Sequence, residues 1–183
     1  MPSRNNLNRF LAFWRHFSGA NAIHLALVIF GILLVWTLIS HALENPDRYF
    51  LSRSRAPELV EPDDLIEYDL ESVPVTTSNL APYSERVIHG EIFKARPDVM
   101  AVCHHHAAAF MPLIITQTDY TPVIHLGSVG GQNLPWWDQR AEFGDTNYLV
   151  VKPEEGRSLA DALDSHMMVM MNRHGVTAVG TDL

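Results

Sequence analysis

The chain has 183 residues, of which 47% are hydrophobic and 19% charged, a composition typical of a globular protein rather than a disordered one. Its formal net charge of -8, from 13 basic and 21 acidic side chains, argues against a nucleic-acid-binding protein, which normally has a basic face. The single cysteine, Cys103, excludes an intrachain disulfide framework and fits a reducing compartment.

An apolar segment lies near the N-terminus. Residues 22–39 are almost all apolar, Arg4, Arg9 and Arg15 precede them, and the first acidic residue is Glu44. A run of about 18 apolar residues is near the lower limit for crossing a bilayer, and the arginines would place the N-terminus in the cytoplasm. The pattern predicts an apolar helix over 22–39. It would anchor the chain in a membrane, lie buried in the core, or be foreign to the domain.

Beyond Glu44 the sequence predicts short, mixed elements. Strands are expected at 49–51 and 65–70, with a short helical turn at 61–64 between them. Ser84 is suited to cap a helix, and apolar residues at helical spacing continue that helix to Ala95. Pro97 ends it, because the residue before a proline disfavours helical geometry.

The second half of the chain begins with a buried strand, VMAVCHHH, at 99–106. A short helix at 107–111, stopped by Pro112, and a glycine-rich loop at 128–137 are expected after it. The remaining expected elements are strands at 113–116, 123–126, 148–151 and 167–171 and a helix at 154–163. Strands mixed with helices, not in strict βαβ order, predict an α/β sandwich with a mixed, largely antiparallel sheet.

Histidines provide the candidate metal ligands. His104 and His106 are two apart on a predicted strand, so their side chains lie on one face and that of His105 on the other. His174, beside Gly175 after another apolar strand, is the best third ligand. Three neutral imidazoles describe an open, catalytic site for one divalent ion, with zinc, manganese, cobalt and iron all compatible. An H-x-H pair alone is often incidental.

Five other histidines are expected to have ordinary roles. His24, His41 and His166 are predicted to be incidental or at the surface, and His89 and His125 to be hydrogen-bonded structural residues.

Several motifs in order resemble the class II aldolase/adducin family. They are ENPDRYFLSRSRAPEL, SERVIHGEIFKARPDVMAVCHHHAAA, FGDTNYLVVKPEEGRSLADAL and MNRHG, spread from Glu44 to about Gly180. The resemblance implies a three-layer α/β/α sandwich and assigns metal binding to His104, His106 and His174. It also assigns a catalytic glutamate to Glu85, which on its own would be a solvated residue of a first helical turn.

The resemblance implies a divalent-metal-dependent lyase that cleaves a carbon–carbon bond through a metal-stabilised enolate. Aldolases, decarboxylases, epimerases and dehydratases of the family share that chemistry, so the motifs leave them open. Ser52, Arg53, Ser54 and Arg55 match a loop that in relatives helps to hold the substrate anion. Its arginine-rich form is similar to the decarboxylase-like branch and favours a small carboxylate- or phosphate-bearing substrate, although two solvated arginines would give the same pattern.

Two departures from the family pattern concern the ends of the chain. VWTLIS stands where relatives have a Gly-(His/Asn)-(Ile/Val)-Ser segment, and the sequence stops at Leu183, where relatives continue through further helices. We therefore expect an atypical segment at 1–43 and a C-terminally truncated family domain at 44–183. The family also implies a homo-oligomer, by resemblance a tetramer, in the cytoplasm. The alternative is a non-catalytic or defective adducin-like domain, anchored in a membrane through 22–39.

Overall fold

The structure, a computed structural model, describes residues 37–42, 45–75 and 79–181. The strands in these ranges are β1 (Thr37–Ala42), β2 (Arg48–Ser52), β3 (Leu65–Asp69), β4 (Ala101–His105), β5 (Trp136–Trp137), β6 (Met168–Met171) and β7 (Gly175–Gly180). The helices are α1 (Arg86–Ala95), α2 (Met111–Thr116), α3 (Gln139–Phe143) and α4 (Pro153–Leu163), and 3-10 turns cover Pro57–Leu59, Pro62–Asp64 and His125–Gly130.

These strands form one sheet in the order β3-β2-β1-β4-β7-β6-β5. Five of its pairs are antiparallel, and β5 runs parallel to β6. The predicted mixed, largely antiparallel sheet is therefore confirmed. Because β4 and β7 are neighbours at its centre, the residues at the ends of these two strands come together.

Helices cover both faces of the sheet. On one face, Val102 and Val179 of the sheet pack in one core cluster with Ile88 of α1 and Leu159 of α4. On the other face, Met170 and Val176, at alternate positions of the same strands, pack with Ile114 of α2 in a second, smaller cluster. This arrangement gives the three layers that the sequence motifs implied.

Close packing of α1 against α4 fixes the helix that follows Glu85. A Cβ added at Gly156 would lie 2.8 Å from the Val87 carbonyl oxygen, so α4 can approach α1 this closely only with glycine there. Ile88 and Ile92 of α1 are fully buried in the same core. The start of α1, and with it Glu85, is thus held firmly against the sheet.

Several predicted elements are wrong. Residues 113–116 belong to α2 rather than to a strand, because Pro112 occupies the first turn of that helix instead of stopping one at 111. Residues 123–126 run into a 3-10 turn, and 148–151 form no strand, since Tyr148 has a φ of 65° that breaks extended geometry. The expected loop at 128–137 contains the short strand β5.

The N-terminal prediction is partly wrong and partly outside the described residues. Residues 37–39, the end of the predicted apolar helix, are in β1, which pairs with β2 and β4, so the sheet includes chain that precedes Glu44. Residues 22–36 lie outside the described ranges. Within those ranges, no helix has the length and apolar character needed to cross a bilayer.

Candidate metal and active site

Three histidines converge at one end of the central strands. His104 lies on β4, His106 just after it, and His174 in the turn between β6 and β7. Their candidate ligand nitrogens all lie within 4.8 Å of one another, and the ring centroids are 5.0 Å apart in each pair. The structure thus brings together the three residues that the sequence singled out.

The hairpin of β6 and β7 explains how His174 reaches the other two. Its turn contains Arg173 in left-handed geometry, with a φ of 56°, and the His174 amide donates to the Met171 carbonyl at 3.0 Å. A Cβ added at the next residue, Gly175, would meet the His106 ring and lie 2.6 Å from the His105 carbonyl oxygen. The absence of a side chain at Gly175 therefore leaves the space that the His106 ring occupies.

His105 faces away from this cluster, as strand alternation predicted. Its ring packs against Phe110 with centroids 5.6 Å apart, and its Nδ1 accepts a hydrogen bond from the Ala107 amide at 3.2 Å. His105 therefore makes its contacts on the opposite face of the sheet.

Burial keeps the three clustered imidazoles neutral. Loss of solvent lowers the pKa of His174 to about 4, and it lowers the pKa of His104 and His106, with mutual repulsion adding to the effect for these two. A neutral imidazole has a lone pair for a metal ion. Among the described residues, the buried Nε2 atoms of His104 and His106 have no hydrogen-bond partner. These orphaned acceptors and the nitrogen donor set fit a divalent cation.

A buried hydrogen-bond chain orients His104. Its Nδ1 lies 3.0 Å from Thr177 Oγ1, and the Thr177 hydroxyl donates to the Met171 sulfur at 3.2 Å. Because the hydroxyl proton is directed at Met171, Thr177 Oγ1 accepts from the His104 Nδ1–H. That tautomer leaves the Nε2 lone pair pointing towards the other imidazoles.

Glu85 lies against two of the histidines. Its Oε1 is 3.3 Å from His174 Nε2 and its Oε2 is 3.8 Å from His104 Nε2. The sequence predicted Ser84 as the helix cap, but Glu85 occupies the N-cap position, and its side chain makes no capping bond. The carboxylate is directed into the site instead.

The environment of the Glu85 carboxylate is well defined. The Val150 amide donates to Oε1 at 3.0 Å, and the Tyr83 hydroxyl donates to Oε2 at 3.0 Å. Burial raises the pKa of Glu85, and these two hydrogen bonds oppose the rise. The group is therefore closer to accepting a proton than an exposed glutamate is.

The predicted anion-binding loop is held by an internal ion pair. Arg53 Nε and Arg55 Nη1 bind the two oxygens of Asp64 at 2.6 and 2.7 Å, and the hydrogen bond from Arg53 is the main reason that the pKa of Asp64 is well below its usual range. Ser52 is buried at the end of β2, and the Ser54 amide donates to a backbone carbonyl at 3.3 Å. No described contact joins these four residues to the histidines.

Sequence reasoning missed Tyr83, Val150 and Thr177. Thr177 lies in β7, a strand that was not predicted, and Val150 acts through its backbone amide, which carries no sequence signal. Tyr83 stands two residues before Glu85, and this spacing was the one available hint.

Solved structures with similar folds include class II aldolases. L-fuculose-1-phosphate aldolase from Thermus thermophilus is 22% identical, with a TM-score of 0.65 over 85% of this chain and 74% of that one. A sugar-phosphate aldolase from Thermotoga maritima is 18% identical, with a TM-score of 0.61 over 86% and 81%. At these identities the likeness concerns the fold. The model of the class II aldolase and adducin N-terminal domain matches residues 32–183, and the chain belongs to this family.

Curated relatives place the chain near the decarboxylase-like branch, as the motifs predicted. Decarboxylase tropJ of Talaromyces stipitatus is 33% identical over 150 residues, covering 75% of this chain and 56% of the relative. Decarboxylase NovR of Streptomyces niveus is 28% identical over 145 residues, covering 76% and 50%. The chain thus spans about half the length of these relatives.

Proposed function

We propose that the protein is a divalent-metal-dependent lyase that breaks a carbon–carbon bond next to a carbonyl group in a small carboxylate-bearing molecule. The observation that carries this proposal is the convergence of three neutral imidazoles within 4.8 Å, with the Glu85 carboxylate beside them. Imidazoles that are buried together without a partner for their lone pairs destabilise the fold, because each leaves an unsatisfied acceptor. A bound cation removes that cost.

His104, His106 and His174 would hold the ion and leave coordination positions for substrate and solvent. Zinc and manganese are the first candidates, with cobalt and iron also compatible with imidazole ligands. When bound, such an ion supplies Lewis acidity that favours negative charge on a carbonyl oxygen.

Glu85 is the proposed general acid/base. Burial raises the pKa of its carboxyl above that of an exposed glutamate, which favours uptake of a proton, and the group lies beside two of the proposed metal ligands. In a decarboxylation, carbon dioxide leaves, the bonding electron pair stays with the carbonyl-bearing fragment, and a proton from Glu85 completes the product.

The loop of Ser52, Arg53, Ser54 and Arg55 is the proposed anion-recognition segment. Arg53 and Arg55 both bind the carboxylate of Asp64, which holds their guanidinium groups side by side. The names of the decarboxylase relatives favour a carboxylate over a phosphate as the anion. A phosphate-bearing substrate remains the alternative, supported by the fold likeness to a sugar-phosphate aldolase.

Metal binding is tested first, on the full chain. We expect the protein to bind close to one Zn²⁺ or Mn²⁺ per chain at micromolar or lower concentration, measured by titration calorimetry and elemental analysis. His104→Ala should abolish binding, whereas His125→Ala, a matched change at an exposed histidine, should leave it intact. Absence of binding by the wild-type protein would defeat the proposal.

Activity is tested on the metal-loaded protein. Hydroxylated aromatic and pyridine dicarboxylates are screened for release of carbon dioxide, and sugar phosphates for release of an aldehyde. Glu85→Gln should retain the metal and lose turnover by about 100-fold or more, the scale of general acid/base catalysis. Full turnover in that variant would remove Glu85 from the mechanism.

We also propose that the chain forms a homo-oligomer and acts in the cytoplasm. Exposed apolar side chains between residues 115 and 129 support self-association, namely Ile115, Val123, Ile124 and Val129. Light scattering after gel filtration tests this, and a monomer at micromolar concentration would contradict it.

A further inference from the structure

A buried asparagine anchors the hairpin turn that contains His174. Asn172 is 7% exposed and follows directly after β6, where its backbone amide donates to the Trp137 carbonyl at 2.8 Å. Its side chain makes two hydrogen bonds, since Oδ1 accepts from Gln117 Nε2 at 2.8 Å and Nδ2 donates to Asp138 Oδ2 at 2.6 Å. The first residue of the turn is therefore bound to the segment after α2 and to the segment after β5.

The orientation of the Asn172 amide follows from the chemistry of its neighbours. The Asp138 carboxylate only accepts hydrogen bonds, so the amino group of Asn172 must face it and the carbonyl oxygen must face Gln117. The other oxygen of Asp138 accepts from the Arg140 amide at 2.9 Å, as the N-cap of α3. We call Gln117, Asn172 and Asp138 the polar chain; each of its hydrogen bonds joins a donor to an acceptor, and no other assignment of the Asn172 amide does so.

The turn requires support from outside because its central residue is strained. Arg173 has a φ of 56°, in the left-handed region that a long side chain rarely adopts. The next residue is His174, whose ligand nitrogen lies within 4.8 Å of those of the other two histidines. A strained backbone conformation persists only where the surrounding structure determines it. The hydrogen bonds of Asn172 provide such contacts at the residue before the strained one.

We propose that Asn172 is a positioning residue for the metal site, because the polar chain fixes the turn that places His174 beside the other two imidazoles. The inference rests on the proposed function, in which His174 is a metal ligand. Asn172 itself is directed away from the ion, since its side chain binds Gln117 and Asp138. Metal sites require their ligands to be held to within about 0.5 Å, so a small movement of the turn weakens binding in a protein that is still folded.

Asn172→Asp tests the polar chain with almost no change in volume. The new carboxylate would face the carboxylate of Asp138, so two acceptors would meet where a donor and an acceptor met before, and the turn has to move. We expect the dissociation constant for Zn²⁺ to rise by about 10- to 100-fold, measured on the whole protein by competition with a chelating dye. The visible absorption of the Co²⁺-saturated variant, which reports the arrangement of the ligands, should also differ from that of the wild type.

The reciprocal exchange restores the pairing. When Asn172→Asp is combined with Asp138→Asn, the amide at 138 donates to the carboxylate at 172, which still accepts from Gln117, and the amide oxygen at 138 still caps α3. The double variant has the same formal charge as the wild type. Its Zn²⁺ dissociation constant should return to within about threefold of the wild-type value, and its Co²⁺ spectrum should return to the wild-type form.

Two further variants complete the test. Gln117→Ala removes the exposed end of the polar chain, and it replaces Asn172→Asp as the test if that variant does not fold; its Zn²⁺ dissociation constant should rise by about three- to tenfold, the effect of one hydrogen bond. Asn45→Asp is the matched control, because Asn45 is exposed, lies between β1 and β2 at the far end of the sheet from the histidines, and accepts from the Asp47 amide through the oxygen that aspartate retains. It should bind Zn²⁺ like the wild type.

The results separate this inference from the proposed function and from a purely structural role. If Asn172→Asp or Gln117→Ala lowers only the unfolding midpoint, with the Zn²⁺ affinity and Co²⁺ spectrum of the wild type, the positioning role is overturned and the metal site stands. A loss of affinity in Asn172→Asp that the exchange with Asp138→Asn does not restore would also overturn it. If the wild-type protein binds neither ion, the proposed function fails, and this inference fails with it.

Discussion

The Nδ1 atom of His104 lies 3.0 Å from the Oγ1 atom of Thr177, and each side chain is at most 1% exposed. The two residues are cross-strand partners in the pairing of β4 with β7. The Thr177 hydroxyl, whose proton is directed at Met171, fixes the tautomer of His104. One backbone register therefore decides both where the imidazole is and which of its nitrogens is free.

Thr177→Val should weaken metal binding without replacing a ligand. Valine has nearly the same shape but cannot accept from the His104 Nδ1–H, so that buried donor loses its partner and the ring is free to change tautomer. We expect the dissociation constant for Zn²⁺ to rise by about 10- to 100-fold, the usual effect of losing such a supporting partner. Competition against a chelating dye measures it. Thr177→Ser, which keeps the hydroxyl, should remain within about threefold of wild type, and equal weakening in both variants would refute the argument.

Gly175→Ala should disturb the site through the backbone. An alanine Cβ would run into the His106 ring and lie 2.6 Å from the His105 carbonyl oxygen. The His105 carbonyl cannot yield without moving β4, and the His106 ring can yield only by leaving its place beside the other two imidazoles. We therefore expect lower metal affinity and a loss of stability of about 1–3 kcal/mol, as for other overpacked positions. Chemical unfolding of the metal-free variant gives the second quantity. If Gly175→Ala has the metal affinity and the stability of the wild type, the position of the His106 ring does not require glycine at 175.

Asp64→Asn should loosen the loop proposed to recognise the substrate anion. The change removes the charge that Arg53 and Arg55 share, at 2.6 and 2.7 Å, while keeping the volume of the side chain. The loop should then be cut faster by trypsin at its arginines, and the thermal unfolding midpoint should fall. Asp98→Asn is a suitable control, because Asp98 pairs with an arginine at the surface, away from the loop. Identical cleavage rates for Asp64→Asn and wild type would contradict the ion pair's role.

The pattern of the sequence predicted the elements whose residues are strongly periodic. Helix α1 and helix α4 have apolar residues at helical spacing that are in fact buried, and β4 is a short apolar run ending in histidines. Alternation on β4 also predicted that His104 and His106 share a face. These features are local, and local spacing is sufficient to predict them.

Elements decided by distant packing were not predictable in the same way. Residues 113–115 are apolar and suit a strand or a helix equally, and burial of Ile114 against β6 and β7 accompanies the helix that the structure shows. Strand β1 was hidden in a long apolar run, because the composition of an apolar stretch does not distinguish a strand from part of a helix.

The residues of the candidate site also fall into two groups, those that local sequence predicts and those that depend on distant packing. The histidines and Glu85 carry chemistry that can be recognised one residue at a time. The contacts that orient them, from Tyr83, the Val150 amide and Thr177, depend on which strands and loops become neighbours. For the arginine loop, the sequence pointed to Arg53 and Arg55 but not to their partner Asp64, which lies nine residues beyond Arg55.

The buried side chain of His89 is expected to make the metal-free protein less stable in acid. Its imidazole is completely buried in α1, and burial lowers its pKa to about 3, whereas in the unfolded chain it is about 6.5. Between these values the unfolded chain binds a proton that the folded protein does not. The free energy of unfolding therefore falls as the pH falls, by about 1.4 kcal/mol per pH unit for one such histidine.

His89→Gln should remove this contribution. We expect urea unfolding between pH 6 and 4 to show a shallower loss of stability in the variant than in the wild type, by about 1 kcal/mol per pH unit. The other histidines whose pKa values are lowered by burial would contribute to the slope that remains, namely His104, His105, His106 and His174. His125→Gln, at an exposed position, should keep the wild-type slope. If wild type and His89→Gln lose stability in parallel, the buried imidazole at 89 is not what makes the fold sensitive to acid.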